Sequence, residues 1–131
     1  MSGYKFPRRS DVRFVMIDGE CCGSGNIKKY DDDTACIGYM YIDEGTEKAD
    51  ELSGRLLDKL EKDAVRAGYK EIFVLAGSDA SFYLSHGYTE CPRKDDDRLA
   101  DILGARVIYD KTLTKELMND SNNTMKGKAY V

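Results

Sequence analysis

The segment Phe82-Tyr83-Leu84-Ser85-His86-Gly87-Tyr88 places a tyrosine and the chain's single histidine three residues apart. A phenol has a pKa near 10, so Tyr83 could donate a proton to a departing thiolate, whose own pKa is about 8.5. His86 could act as a base or a proton relay, because imidazole titrates near neutral pH. Each side chain also has a structural interpretation, Tyr83 as a core aromatic and His86 as a surface residue without a catalytic role.

The residues around Tyr83 predict how it is held. The apolar run 72–75 is typical of a strand buried on both faces. The loop after it offers Ser78 or Asp79 as the N-cap of a new helix. Gly87 limits that helix to about two turns. The sequence therefore predicts that Tyr83 lies on a short helix directly after a buried strand.

Three strands are predicted before the first long helix, at 11–17, 20–29 and 34–43. Asp18-Gly19 joins the first two and is a two-residue hairpin signal. The triplet G-S-G in the second strand is interpreted as a bulge and not as a phosphate-binding loop. The third strand is almost wholly apolar or aromatic and is expected to be central. Gly38 within it marks a bulge or a close approach by another backbone or a ligand.

A long helix is predicted over residues 49–67, because leucine recurs at every fourth position and Gly68 can end it. Later strands are expected at 87–91 and 105–113. Residues 93–104 are expected to be a polar loop in which Leu99, Ile102 and Leu103 could form one helical turn. The element order is β-β-β-α-β-α-β-β. This order indicates the α/β class, with a mixed β-sheet flanked by helices.

At 131 residues the chain is long enough for one domain with a core of its own. Residues 11–113 carry the predicted strands and helices and form that domain. Residues 1–10 are interpreted as a basic N-terminal arm, either flexible or extending a sheet edge. Residues 114–131 have little apolar content and are predicted to be a flexible C-terminal tail.

The composition excludes several classes of partner. A net charge of −4 disfavours a nucleic-acid backbone and mildly favours a cationic substrate such as an amine. No apolar run approaches about 18 residues and no signal-peptide pattern is present, so we expect no membrane partner. The four cysteines lack C-x-x-C spacing and are expected to be reduced, as in a cytoplasmic protein. Metal-ligand spacing is absent, and the acidic triplet 31–33 is interpreted as a solvated loop.

Several segments resemble the GNAT acyltransferases. That family carries a buried strand, a short helix with an F-Y pair, and G-F or G-Y shortly afterwards, which here are Phe82-Tyr83 and Gly87-Tyr88. The runs D-G-E-C-C-G-S-G, I-G-Y-M-Y-I-D and R-V-I-Y-D-K-T-L follow in the family's order. The resemblance covers about residues 11–113 and implies a GNAT-like fold that lacks the family's usual N-terminal helices.

The resemblance implies an N-acetyltransferase that moves an acetyl group from acetyl-CoA to an amine by direct attack, without a covalent enzyme intermediate. The cofactor's pantetheine arm would lie between the parallel strands 34–43 and 71–76. It would bond to the backbone of Tyr41 and Ile42, with Asp79 as a further cofactor contact. A strand amide at this place would also polarise the thioester oxygen.

The resemblance also implies that Tyr83 is the catalytic acid. Its hydroxyl is expected at the wet mouth of the cleft, beside the cofactor sulfur. Phe82 is expected to turn toward the core instead.

The family binds the cofactor's pyrophosphate at the N-terminus of its long helix, through a loop of the form R/Q-x-x-G-x-G/A. The matching residues here begin with Lys48 and end with Ser53, or with Gly54 if the alignment shifts by one residue. Glu51 stands where the family has its first glycine, next to Asp50. Both oppose a diphosphate, because one like-charge contact at about 4 Å costs about 1–4 kcal/mol.

Two other functions stay open. The acidic pair at 50–51 and the missing N-terminal helices favour a catalytically silent GNAT-like protein that binds or regulates a partner. The acidic runs 31–33 and 95–97 favour an acidic decoy that competes with nucleic acid. The acceptor amine, on a protein or a small molecule, is not specified by the sequence. An exposed final strand could pair two subunits into a homodimer.

Overall fold

A computed structural model describes residues 3–92, 96–103 and 111–117. These residues form one eight-stranded sheet, whose strands are β1 (Tyr4–Lys5), β2 (Arg8–Arg9), β3 (Val12–Ile17), β4 (Glu20–Lys29), β5 (Thr34–Ile42), β6 (Glu71–Ala76), β7 (Thr89–Cys91) and β8 (Lys111–Glu116). The helices within the same residues are α1 (Ala49–Arg66), α2 (Ala80–Leu84) and α3 (Asp96–Leu103).

The strands lie in the order β1-β3-β4-β5-β6-β8-β7, and β2 also pairs with β3. The pair β5–β6 is parallel, while the other described pairs are antiparallel, so the sheet is mixed. The helices α1 and α2 pack on one face and α3 packs on the other. The predicted class, a mixed sheet flanked by helices, is confirmed.

The helix α1 forms because its apolar residues recur every three or four positions and face the sheet. Its fully buried leucines, each at most 1% exposed, are Leu52, Leu56, Leu57 and Leu60. The N–H of Gly68 donates to the Val65 carbonyl, and the next N–H donates to the Ala64 carbonyl, both at 3.0 Å. With Gly68 at a φ of 96°, this is a Schellman motif, and the predicted end of the helix is confirmed.

Glycine allows β4 to lie directly under α1. A methyl group added at Gly25 would come within 3.2 Å of the Leu60 side chain. The predicted bulge lies beside the G-S-G triplet and not within it, because Cys22 is the extra residue in the register between β3 and β4. Within the triplet, Gly25 therefore leaves room for the Leu60 side chain of α1.

A second bulge lies in β5, at Gly38. This glycine is the extra residue between the pairs that Ile37 and Tyr39 form with β4. An extra residue reverses the face that each following side chain takes. Ile37 and Met40 therefore both face α1, while Tyr39 and Tyr41 lie on the opposite face. The expectation of a bulge at Gly38 is confirmed.

A buried ion pair joins the N-terminal strands to α1. Asp63 is 4% exposed, and its two oxygens accept hydrogen bonds from Arg13 at 2.6 Å and 2.8 Å. Arg13 also donates to the Phe6 carbonyl at 2.6 Å. The hydrogen bond to Asp63 raises the pKa of Arg13, so the guanidinium stays charged. The pair thereby fixes β3 and the preceding segment against the helix.

The N-terminal segment extends the edge of the sheet. Both β1 and β2 pair with β3, and Phe6 is 9% exposed within the core under α1. The guanidinium of Arg55 lies over the rings of Phe6 and Tyr4, at 5.1 Å and 5.6 Å from their centroids. Of the two interpretations of the N-terminal segment, the structure supports the edge extension over the flexible arm for residues 3–10.

The helix α3 corrects the prediction of a polar loop at 93–104. Leu99 is 3% exposed and packs with Cys36 and Phe73, and Leu103 packs against the same cluster. The helical turn expected around Leu99 and Leu103 is thus part of a helix of eight residues.

The strand β8 corrects two further predictions. It runs to Glu116, so residues 114–116 belong to the sheet and not to a tail. It also pairs with both β6 and β7, so it is not an exposed edge through which two subunits could pair. The predicted strand start at 105–110 and the predicted tail from 118 onward lie outside the described residues.

Removal of residues 116–131 is expected to destabilise the protein by about 1–2 kcal/mol more than removal of 118–131. Glu116 pairs with Glu71, and the N–H of Leu117 donates to the Lys70 carbonyl at 2.8 Å. The Leu117 side chain also packs against the core. Urea unfolding of the two truncated proteins measures the difference, and equal stabilities would show that the end of β8 contributes nothing.

Candidate active site

The parallel strands β5 and β6 separate after three pairs. These pairs are Thr34 with Glu71, Ala35 with Ile72 and Cys36 with Phe73. β5 then continues to Ile42 and β6 to Ala76, with no further pairing between them among the described residues. The bulge at Gly38 lies where the separation begins. A ligand inserted in this split would meet the backbone edges of both strands.

A cavity of about 310 Å³ occupies the split. Its wall includes Val74 from the core under α1, and Leu75 and Leu103 from the core under α3. The cavity is therefore lined from both faces of the sheet, so that two molecules approaching from opposite sides could meet in it. The other lining residues are Ile37, Gly38, Tyr39, Met40, Asp79 and Tyr83.

Tyr83 lies in the wall of this cavity, on α2. Its side chain is 3% exposed, and its ring packs edge-on against Phe82 and Tyr88, with centroids 5.0 Å and 5.6 Å away. Burial, together with the charge of Asp79, raises the pKa of Tyr83. The expected orientation is wrong, because Tyr83 belongs to the core while Phe82 is only partly buried.

Asp79 occupies the N-cap position of α2 without capping it. Its Oδ1 accepts a hydrogen bond from the N–H of Gly77 at 2.9 Å, so the side chain stabilises the loop and not the helix end. It lies one helical turn before Tyr83 and is the one carboxylate among the described residues that line the cavity. The structure thus brings these two predicted site residues together.

The overall fold matches solved acetyltransferase structures. An N-acetylglutamate synthase from Neisseria gonorrhoeae, complexed with coenzyme A and N-acetyl-glutamate, has a TM-score of 0.70 at 16% identity, over 89% of this chain and 30% of its own. A GNAT family acetyltransferase from Elizabethkingia anophelis with acetyl-CoA bound has a TM-score of 0.64 at 17% identity, over 81% of this chain and 75% of its own. The chain has the GNAT fold.

A Mycobacterium tuberculosis protein in complex with CoA matches in the same way, with a TM-score of 0.68 at 17% identity, over 82% of this chain and 76% of its own. No family model and no curated protein matches the sequence. The likeness to GNAT proteins is therefore one of fold alone. The chain spans 30% of the length of the N-acetylglutamate synthase, which is a larger protein.

The predicted pyrophosphate loop of the GNAT fold lies at the N-terminus of α1. Lys48 is the N-cap residue, has a left-handed φ of 62° and makes no side-chain cap, while its carbonyl accepts from the Leu52 N–H at 2.9 Å. Asp50 and Glu51 are exposed on the first turn. Three N–H groups at this helix end would be available to a phosphate, but two carboxylates accompany them.

Ser53 and Gly54 lie one turn further along α1, where Gly54 contacts the end of α2. A methyl group added at Gly54 would lie 3.0 Å from His86 Nε2. The opposite ring nitrogen, Nδ1–H, donates to the Phe82 carbonyl at 2.8 Å. Gly54 therefore lets α1 approach the segment that directly follows α2. The sequence analysis missed this role, although a glycine inside a helix, which costs about 1 kcal/mol, signals one.

Tyr41 and Ile42 lie beyond the bulge of β5, where the strand borders the split. The side chain of Tyr41 is 50% exposed and stacks on Tyr39, with ring centroids 6.2 Å apart. Ile42 packs into the core under α1. Both residues are in register with β4, and the Asp43 N–H donates to the Cys22 carbonyl at 2.7 Å. Because backbone groups alternate in direction along an antiparallel pair, Tyr41 bonds to β4 and Ile42 directs its N–H and carbonyl toward the split.

Three polar side chains hold the segment that follows α2. The Tyr88 hydroxyl donates to Glu61 Oε2 at 2.8 Å, and Lys115 Nζ donates to Glu61 Oε1 at 3.1 Å. Lys115 Nζ also donates to the His86 carbonyl at 3.0 Å. Burial and the adjacent Glu61 raise the pKa of Tyr88. The Tyr88 N–H donates to the Tyr83 carbonyl at 3.2 Å, which fixes the end of the helix that carries Tyr83.

Across residues 3–92, 96–103 and 111–117, no group of three histidine, cysteine, aspartate or glutamate side chains could hold a metal ion. Nor is any helix in this part of the chain both long enough and apolar enough to cross a membrane.

Proposed function

We propose that this chain is an N-acetyltransferase that moves the acetyl group of acetyl-CoA directly to an amine. The observation that carries the proposal is a cavity lined from both faces of the sheet, with Tyr83 in its wall. The N. gonorrhoeae and E. anophelis proteins, which share the fold, were crystallised with coenzyme A or acetyl-CoA. The cofactor would enter from the α1 side and the acceptor from the side of α3.

In the proposed reaction the amine nitrogen attacks the thioester carbonyl carbon. A C–N bond forms, the C–S bond breaks, the amine gives one proton to solvent and the sulfur takes one. Backbone N–H groups of β5 beside Gly38 would polarise the carbonyl oxygen. The products are an amide and the free thiol of CoA.

Tyr83 would donate its hydroxyl hydrogen to the departing sulfur and recover a proton from solvent afterwards. Burial raises the pKa of Tyr83, so the phenol is fully protonated at neutral pH. The same apolar cavity would raise the pKa of a thiolate formed inside it. Because burial would raise both pKa values, the rise at Tyr83 would be offset by the rise at the sulfur that takes its proton.

Thermal unfolding with acetyl-CoA tests whether the cofactor binds. Ligand at about 100 times its dissociation constant should add roughly 2.7 kcal/mol of stability. A melting temperature unchanged at millimolar acetyl-CoA would instead support the catalytically silent protein. The specific observation in favour of that second function is the exposed pair of carboxylates, Asp50 and Glu51, at the pyrophosphate position.

A Glu51→Gln variant is expected to bind CoA about fivefold more tightly than the wild type. Removal of one negative charge at about 4 Å from a phosphate is worth about 1 kcal/mol in water. Glutamine keeps the helix propensity that glycine would lose. Calorimetry measures the affinity.

Asp58→Asn, which removes a charge from the exposed face of α1 two turns later, is the control and should leave the affinity unchanged. Weaker binding in Glu51→Gln would show that the phosphate lies elsewhere.

A further inference from the structure

One face of the N-terminal half of the sheet carries exposed aromatic side chains beside the cavity. We call this surface the open face and define it by two rows that the strand register aligns across β3, β4 and β5: Phe14, Ser24 and Tyr41, then Val12, Asn26 and Tyr39. It is the face opposite α1. Tyr39 and Tyr41 are 42% and 50% exposed, whereas α3 packs further along the sheet over Cys36 and Phe73.

The open face is continuous with the cavity. Tyr39 belongs to both, and its ring stacks on Tyr41. The Tyr39 hydroxyl lies 3.0 Å from Ser24 Oγ, so a hydrogen bond holds the Tyr39 ring in place. A molecule that leaves the cavity on this side therefore meets a fixed aromatic surface.

A polar atom without a described hydrogen-bond partner lies at the boundary between the open face and the cavity. Asn26 is 6% exposed, and its Oδ1 is buried without a hydrogen-bond partner among the residues that the structure describes. A methyl group added at Gly38, which lines the cavity, would overlap this oxygen. A buried carbonyl oxygen without a donor is unfavourable, and an N–H group of a ligand would satisfy it.

Shape and charge distinguish the kind of ligand. Small molecules bind in concave sites that enclose most of their surface, whereas the open face is one side of a sheet that continues past the cavity. From β5 to β3 it spans about 10 Å, two strand spacings beyond the cavity mouth. Tyrosine-rich flat surfaces are typical of protein interfaces. The end of the sheet beyond Tyr41 carries four exposed carboxylates, which favour a basic partner: Asp18, Glu20, Asp43 and Glu44.

We propose that the open face is the docking surface for a polypeptide acceptor. An amine of that polypeptide enters the cavity past Asn26, while basic and apolar residues beside it lie along Tyr41 and Phe14. This inference rests on the proposed acetyltransferase function and names the class of its acceptor.

Two acceptors with the same amine test the proposal. One is a peptide with blocked ends, a single central lysine, and leucine and arginine residues on both sides of it. The other is Nα-acetyl-lysine N-methylamide, which lacks the flanking residues. The rate of each reaction is measured by the release of CoA. We expect kcat/KM to be at least about tenfold higher for the peptide than for the methylamide, which is the effect of one aromatic anchor at an interface. A ratio near one in the wild type would overturn the proposal, while acetylation of the methylamide would leave the acetyltransferase function standing.

Substitutions assign the difference to the open face. Phe14→Ser should bring the ratio of the two kcat/KM values close to one. Leu84→Ser removes an apolar side chain that is 46% exposed on α2, away from the open face, and should leave the ratio as in the wild type. Asn26→Leu should raise the melting temperature, because it removes an unpaired buried oxygen, and raise the KM of both acceptors several-fold. A higher melting temperature with unchanged KM values would show that Asn26 does not meet the acceptor.

Two further measurements separate the remaining outcomes. Fluorescence anisotropy of the labelled peptide reports docking without turnover, so it decides the inference even if acetyl-CoA neither binds nor reacts. Weaker peptide binding in Phe14→Ser supports the open face, and equal binding overturns it. Light scattering reports the oligomeric state. A wild-type dimer that becomes monomeric in Phe14→Ser, with peptide binding unchanged, would make the open face a subunit interface instead.

Discussion

A Tyr83→Phe variant is expected to transfer acetyl groups roughly 10- to 1,000-fold more slowly than the wild type, the contribution of one positioned general acid. The substitution keeps the ring that packs against Phe82 and Tyr88 and removes only the hydroxyl. Burial raises the pKa of Tyr83, so the wild-type phenol keeps its proton beyond the ordinary value of about 10. The difference in rate should therefore persist from neutral to mildly alkaline pH, as steady-state rates can show.

Tyr88→Phe provides the matched control. Tyr88 is also buried, but its hydroxyl donates to Glu61 and lies in the network behind α2. Loss of that bond should cost about 1–2 kcal/mol of stability and leave turnover nearly unchanged. Tyr83→Phe should show the reverse, with little change in stability, because its hydroxyl makes no hydrogen bond to the described residues. Full activity in Tyr83→Phe, or equal losses of turnover in both variants, would remove Tyr83 from the mechanism.

An Asp63→Ala variant is expected to lose about 3–5 kcal/mol of unfolding free energy. Arg13, whose side chain is 14% exposed, would lose both of its short bonds to Asp63 and remain as a largely buried, uncompensated charge. Domains have about 5–15 kcal/mol of stability in total, so the variant would lie close to unfolding. Urea denaturation at neutral pH measures the loss.

Asp58→Ala is the control for this loss, five residues earlier on the same helix. Asp58 is 57% exposed and pairs with Lys62 at 3.2 Å, and such surface pairs are worth at most about 0.5 kcal/mol. Replacement of both Arg13 and Asp63 by leucine should recover much of the stability, because no buried charge then remains. If Asp63→Ala cost no more than Asp58→Ala, the buried pair would not be what joins β3 to α1.

The central elements could be predicted closely because their signals are local. The leucine spacing and Gly68 fix α1 to within one residue of the predicted 49–67, and β6 matches the predicted 71–76. Asp18 and Gly19 have the positive φ values that their hairpin turn requires. The end of β8 could not be predicted in this way, since residues 114–116 are in the sheet only because β6 pairs with them.

The candidate site could be predicted in position but not in orientation. The sequence places Tyr83 on a short helix after a buried strand, where the structure has it. Which side of so short a helix faces the core depends on tertiary contacts, such as that of Gly54 in α1 with His86 just after α2. Spacing within a single segment carries no information about such a contact. The cavity itself arises from two strands distant in sequence, and only their divergence creates it.

The bulge at Gly38 changes which residues of β5 face the core: odd-numbered before it and even-numbered after it. Upstream, odd-numbered Ala35 and Ile37 face the core under α1, and downstream even-numbered Met40 takes that role. Because of this change, the side chains of Tyr39 and Tyr41 point away from the core. Core and surface are thus encoded by interleaved positions of one strand. The outward tyrosines can therefore change during evolution without a change in the core residues of β5, provided that Gly38 is kept.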